Sequence, residues 1–176
     1  HSRVRRQRQM CIRDSAYWDK FDNTWHHGDD VEMTDNGGMV FYGRSDATLN
    51  PGGVRIGTAE IYQQVNQLSE IKDSIAVGRV LDGDEKVVLF VQLDSDKTLS
   101  DELISTIKLQ LKTQCSPRHV PAEVYAISEV PKTKSGKLVE LAVKQVLHGK
   151  DVQNKGAIAN PQVLDEIAQY ATQTVS

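Results

Sequence analysis

The sequence predicts an α+β fold, a short three-stranded sheet flanked by helices and preceded by a hairpin. Three observations predict it. Apolar residues alternate, or run without a break, in β-rich stretches near 31–42, 75–91 and 124–127. Between and after these, apolar residues recur at helical spacing near 61–68, 103–111 and 138–147. Gly- and Asp-rich turns, Asp35-Asn36-Gly37-Gly38 and Asp82-Gly83-Asp84, each separate two strand-like runs. Strands and helices in this irregular order make a small mixed domain with helices packed on a sheet.

The segment from Ala16 to Asp30 is aromatic and polar (Tyr17, Trp18, Phe21, Trp25) and shows no clear period. Val31 to Tyr42 reads as a hairpin, because Val31 and Met33 alternate with polar residues and Met39-Val40-Phe41-Tyr42 returns after a turn that tolerates positive φ. Gly43 to Gly57 is a loop built around Asn50-Pro51-Gly52-Gly53. Thr58 is a candidate N-cap for a helix carrying Ile61, Val65 and Leu68. Ile75–Val80 and Lys86–Val91 read as an antiparallel pair. Ser100 caps a second helix whose apolar stripe is Leu103, Ile104, Ile107 and Leu111. Ser116–Pro121 breaks it, and a third strand follows at Val124–Ile127. The cationic loop Pro131 to Gly136 feeds a helix from Leu138 to Leu147, ended by Gly149. Pro161 opens a last, weak helix with Val163, Leu164 and Ile167.

Composition narrows the function classes. A chain of 176 residues can bury a real core as one domain with flanking pieces. No apolar run approaches the roughly 20 residues needed to cross a bilayer, so no membrane span is expected. Cys11 and Cys115 cannot build a disulfide framework and lack CxxC spacing, which suits a reducing, cytoplasmic setting. The net charge of −3 divides into +4 over residues 1–15, with five arginines, and −7 over the rest. The arginine-rich start suggests a nucleic-acid arm or a targeting peptide, but no apolar segment follows it. Met10-Cys11-Ile12-Arg13-Asp14-Ser15 matches the conceptual translation of a sequencing-library transposon adapter. Residues 1–15 are therefore expected to be a non-native leader on a truncated reading frame that begins upstream of His1.

Two loops concentrate placed cations. Lys132-Thr133-Lys134-Ser135-Gly136-Lys137 is not a phosphate-binding P-loop, since Pro131 stands where the first glycine is required and Leu138 follows the lysine. It still offers Lys137 as an exposed point charge suited to phosphate oxygens. Gly43-Arg44-Ser45-Asp46 and Asn50-Pro51-Gly52-Gly53-Val54-Arg55 form the second group. Its glycines let backbone approach a ligand. Arg44 and Arg55 either pair with Asp46 or bind phosphate. Asp29, after Gly28, can accept hydrogen bonds from a ribose diol. His26-His27 lacks a third ligand at metal spacing, so no metal site is expected there. Cys115, His119 and His148 show no triad order, and no nucleophile elbow is present.

Taken together, Gly28-Asp29, Gly43-Arg44-Ser45-Asp46, Gly52-Gly53-Val54-Arg55 and Pro131–Lys137 resemble the carboxy-terminal end of an adenylate-forming acyl-CoA synthetase. The match covers Tyr17 to the C-terminus and is nearest to the acetoacetate-activating branch. The run Gly83–Val91, the segment Ser116–Pro121 and the tail Asn154–Pro161 carry that likeness. The resemblance implies a four-part chain: the 1–15 leader, the end of a truncated adenylation domain at 16–45, a lid domain at 46–149, and an extension at 150–176. It implies an acid–thiol ligase with ATP, acetoacetate and CoA as substrates, and Mg2+ bound mainly by the absent N-terminal domain, which would act in cis. Asp29, Arg44 and Arg55 would then contact the nucleotide, Asp46 would be the hinge, and Lys137 the adenylation lysine. Gly52 and Gly53 would line the CoA tunnel, and Lys112 would meet the CoA nucleotide. Without the large domain the chain itself is expected to be inactive. Two alternatives stand beside this reading: the lid of another short-chain enzyme, such as one activating acetate, or a binding module for a phosphorylated partner. The acidic body argues against nucleic acid.

Overall fold

Apolar residues fill every position from Val87 to Val91, so this strand has no polar face to offer water and must lie between two apolar layers. The computed structural model, which describes residues 22–24, 28–44, 47–81, 83–152 and 155–171 (of 30 and 41–44 the backbone alone), builds those layers. The chain divides into two compact units, 1–46 and 47–176.

The first unit holds the expected hairpin. β1 (Asp29–Met33) and β2 (Met39–Arg44) are antiparallel, with Asp29 opposite Arg44 and Met33 opposite Met39. Thr34 closes the turn by donating its N–H to the Gly38 carbonyl at 2.9 Å and accepting from Gly37 N–H at 2.9 Å. Gly37 has φ 76°, the left-handed conformation that the Asn-Gly-Gly sequence was suited to supply.

In the second unit, β3 (Ile71–Leu81) and β4 (Asp84–Leu93) are antiparallel, and β5 (Glu123–Ile127) runs parallel to β4. The order β3-β4-β5 puts β4 in the centre. A parallel pair needs a long crossover, and α2 (Asp101–Gln114) supplies it between β4 and β5. α1 (Thr58–Val65) precedes the sheet, while α3 (Glu140–Leu147) and α4 (Gln162–Ala168) follow it. Alternation along β4 sorts the core. Val87, Leu89 and Val91 face α1 and α2 with Ile61, Val65, Leu103, Ile107 and Leu111. Val88 and Phe90 face α3 and α4 with Val143, Leu147, Val163, Leu164 and Ile167. Each such fully buried side chain contributes roughly 1.5–3 kcal/mol, so these two layers hold the sheet.

Several boundaries differ from the sequence expectation, each for a local reason. β3 starts at Ile71 rather than Ile75, because its polar opening residues pair along β4, Ile71 with Leu93 and Asp73 with Gln92. Thr58 is the first residue of α1 and is buried; the extended Gly57 is its N-cap. Leu138 lies outside α3 because a β-bridge to Lys132 holds it extended, and the helix starts at Glu140. Ser100 caps α2 as expected, accepting from Leu103 N–H at 3.2 Å. No helix among the described residues is long and apolar enough to cross a membrane. The leader, the His26-His27 pair and Asp46 lie outside the described residues.

Candidate functional site

Lys137 sits on the return arm of a small braced turn. Gly136 N–H donates to the Thr133 carbonyl at 2.8 Å, and Thr133 N–H donates to the Lys137 carbonyl at 2.8 Å. The Thr133 hydroxyl oxygen also accepts from Lys137 N–H at 3.0 Å. Gly136 has φ 82°, so the turn uses its glycine for the left-handed position. The backbone of Lys137 is therefore fixed while its side chain is exposed. Lys132, Lys144 and Lys86 reach Asp73, Glu85 and Asp84 at 2.5, 2.8 and 2.8 Å, whereas the Lys137 ammonium makes no ion pair with any described residue. An unpaired, exposed cation on a stiff mount can be offered to an incoming anion without first breaking a bridge.

The glycine loop is held differently. Leu49 and Ile56 exchange backbone hydrogen bonds at 3.0 and 2.9 Å and close its neck. Two consecutive carboxylates at the start of β4 grip it. Asp84 accepts from Gly52 N–H at 2.9 Å, and Glu85 accepts from Asn50 N–H at 2.7 Å. Lys86 beside Asp84, with the Gly52 amide second, holds the Asp84 carboxyl below the usual carboxylate range. Glu85 lies across Gly78, where a Cβ would collide with its carboxylate, and also pairs with Lys144. Gly52 and Gly53 have φ 58° and 79°. A Cβ on Gly52 would run into the Arg118 guanidinium, whereas one on Gly53 would meet nothing within 4 Å. The loop thus rests on anionic supports with a cation, Arg118, against its glycine.

The predicted site residues fall into separate groups. Asp29 and Arg44 face each other in the hairpin register, with Asp29 half-buried. Gly52 and Gly53 lie in the supported loop, and Arg55 is exposed two residues beyond. Lys112 is exposed in the last turn of α2. Sequence reasoning missed Asp84, Glu85 and Arg118, which sit far along the chain from the loop they hold. The one available signal was Gly78 in mid-strand, a position where glycine marks close approach.

A further cluster lies between α1 and the segment after α2. His119 Nε2 and Glu60 Oε2 are 2.6 Å apart, and His119 Nδ1 and the Ser116 hydroxyl are 2.9 Å apart. The Cys115 thiol completes a trio whose ligand atoms lie within 4.8 Å of one another. Burial first, then the Glu60 charge, push the Cys115 thiol up in pKa, so it stays protonated at neutral pH.

Residues 60–137 match the AMP-binding enzyme C-terminal domain. An acetoacetyl-coenzyme A synthetase of Rhizobium meliloti (strain 1021) is 54% identical over 154 residues, covering 88% of this chain and 24% of the relative. One of Caenorhabditis elegans is 46% identical over 158 residues, covering 88% of this chain and 23% of the relative. The solved acetoacetyl-CoA synthetase from Streptomyces lividans superposes with a TM-score of 0.83 at 36% identity, covering 92% of this chain and 24% of that one. The chain thus spans about a quarter of the length of the relatives it matches. With the motif order, the fold and these likenesses in agreement, residues 60–137 carry an AMP-binding enzyme C-terminal domain, and the chain resembles the C-terminal quarter of acetoacetyl-CoA synthetases.

Proposed function

We propose that this chain supplies the lid of an ATP-dependent acid–thiol ligase that activates acetoacetate. In the first half-reaction an acetoacetate carboxylate oxygen attacks the α-phosphorus of ATP, forming acetoacetyl-AMP and expelling pyrophosphate. In the second, the CoA sulfur attacks the acyl carbon, the thiol proton is lost, and AMP leaves. The observation that carries the proposal is Lys137, whose ammonium pairs with no other described residue, on its braced turn, in a chain so similar to enzymes named for this product. Placed between the carboxylate and the α-phosphate, its ammonium would stabilise the charge that builds in the first transition state.

Asp29 would hold the ribose hydroxyls and Arg44, opposite it in register, would support that contact. Arg55 would lie near the nucleotide or the hinge. The division of the chain between 46 and 47 supports a hinge at Asp46, where a few residues absorb the change between half-reactions. After rotation the Gly52-Gly53 loop would line the path of the CoA thiol arm, with Lys112 near its nucleotide. The free Cys115 thiol agrees with a reducing, cytoplasmic setting.

Magnesium does not fit the residues in hand. The trio that could hold a metal among the described residues, Glu60, Cys115 and His119, brings a thiol and an imidazole, whereas Mg2+ takes oxygen ligands in octahedral geometry. Any Mg2+ would therefore accompany ATP in the large domain.

Carboxylate-dependent ATP–pyrophosphate exchange by the full-length parent tests the reading. Acetoacetate should support exchange far better than acetate. A preference for acetate would assign the lid to another short-chain ligase. No exchange with either acid would leave a binding module.

A further inference from the structure

The tail beyond residue 150 reads in the sequence as an appendage, yet it forms one wall of the lysine turn. Ala159 N–H donates to the Lys132 carbonyl at 2.8 Å, and Lys134 N–H donates to the Ala157 carbonyl at 3.1 Å. Thr133 and Ile158 form a β-bridge between these bonds. Residues 157–159 thus act as a short strand laid along 132–134.

Beyond this strand the pairing should fail, because Pro131 has no N–H to give. Asn160 takes over at that point with its side chain. Its Oδ1 accepts from Lys132 N–H at 3.1 Å, and its Nδ2 donates to the Val130 carbonyl at 3.0 Å. Only one orientation of the amide satisfies both, since one partner is a donor and the other an acceptor. Asn160 is 7% exposed, so both bonds are sheltered from water and neither is readily replaced. The tail is itself anchored: Ile158, Val163, Leu164 and Ile167 all enter the core beneath α3. Tyr170 stacks on Tyr125 with centroids 4.3 Å apart.

The path from this anchor to the lysine is short. Lys132, gripped by Asn160, is bridged to Leu138, and Thr133 binds the Lys137 backbone through both its N–H and its hydroxyl. We propose that Asn160 is a positioning residue for Lys137, clamping the base of its turn across Pro131 so that the ammonium is presented in one place. This rests on the reading of Lys137 as the adenylation lysine. The role is specific to one half-reaction, because in that reading Lys137 leaves the site before CoA attacks.

The test uses the full-length parent with Asn160→Ala, the milder Asn160→Ser, and Lys137→Ala as reference. Two rates are measured: acetoacetate-dependent pyrophosphate release, and CoA-dependent AMP release from pre-made acetoacetyl-AMP. Asn160→Ala should lower kcat for adenylation about 10–100-fold, the scale of a misplaced catalytic group, with KM for ATP and acetoacetate little changed. Thioester formation should stay within about twofold of wild type, and Asn160→Ser should fall between Asn160→Ala and wild type. Equal loss of both half-reactions would reduce Asn160 to a structural residue and overturn the proposal, as would loss of neither. Adenylation that survives Lys137→Ala would instead remove the lysine reading, and the positioning role with it.

Discussion

Gly52 and Gly53 allow the conformation of the loop to be tested in the chain as it stands. Both adopt left-handed backbone, at φ 58° and 79°, so alanine at either position is strained by about 1–2 kcal/mol. Loss of the flexible glycine from the unfolded chain offsets about 0.4–1 kcal/mol of that. Each variant should therefore lose about 1 kcal/mol, or roughly 3 °C in Tm for a chain of this size. The two differ in what the new methyl meets. At Gly53 it meets open space; at Gly52 it must displace the end of the Arg118 side chain. That end is flexible, so its displacement adds only a few tenths of a kcal/mol, within the usual scatter of surface changes. Urea denaturation measures the stability, and the Arg118 Nε–H resonance in an NMR spectrum reports the displacement. Gly52→Ala should shift that resonance and Gly53→Ala should not. A Gly53→Ala variant as stable as wild type would refute the left-handed assignment. An unmoved Arg118 resonance in Gly52→Ala would refute the contact.

Three other outcomes follow from the same geometry. Tyr62 accepts from Ala76 N–H at 3.2 Å on the free edge of β3 and reaches Glu140 Oε1 at 3.2 Å, so Tyr62→Phe strands the amide. It should destabilise the chain by about 1–3 kcal/mol, and an unchanged urea midpoint would contradict this. Because the Asp84 carboxyl lies below its ordinary pKa, its grip on Gly52 is complete above the usual carboxylate pKa and fades as pH falls through the lowered value. The Gly52 amide shift should titrate at that lowered pH, and Lys86→Ala should move the midpoint upward; a midpoint already at the ordinary value would rule out the Lys86 effect. The isolated 176-residue chain should release no pyrophosphate with acetoacetate, ATP and CoA, and measurable turnover would show that the lid alone suffices.

What the sequence made legible was whatever repeats locally. The Leu103, Ile107 and Leu111 positions of the expected stripe, the Ser100 cap and the Asp35–Gly38 turn have their cause within a few residues and are found where expected, while Ile104, the stripe's fourth member, is only half-buried. The motif order carried the resemblance to AMP-binding enzymes in the same way. What stayed hidden depends on residues far apart in the chain. Asp84 reads as one end of a tight turn until Gly52, 32 residues earlier, is seen to donate to it. Asn160 reads as a polar residue before a proline, yet it binds the chain 28 and 30 residues upstream. α4 was the weakest helix in the sequence because seven residues without a side-chain cap have little helical stability of their own. Burial of Val163, Leu164 and Ile167 supplies it instead. The parallel pairing of β5 with β4 likewise has no local signature, since it is set by the crossover through α2.

The central claim is that Lys137 serves adenylation and leaves before thioester formation. Lys137→Ala in the full-length parent, assayed separately for pyrophosphate release and for CoA-dependent consumption of pre-made acetoacetyl-AMP, tests it most directly. The account predicts that the first rate falls by about 10²–10³-fold, as on removal of one transition-state donor, while the second is retained. Equal loss of both rates, or retention of the first, would contradict it.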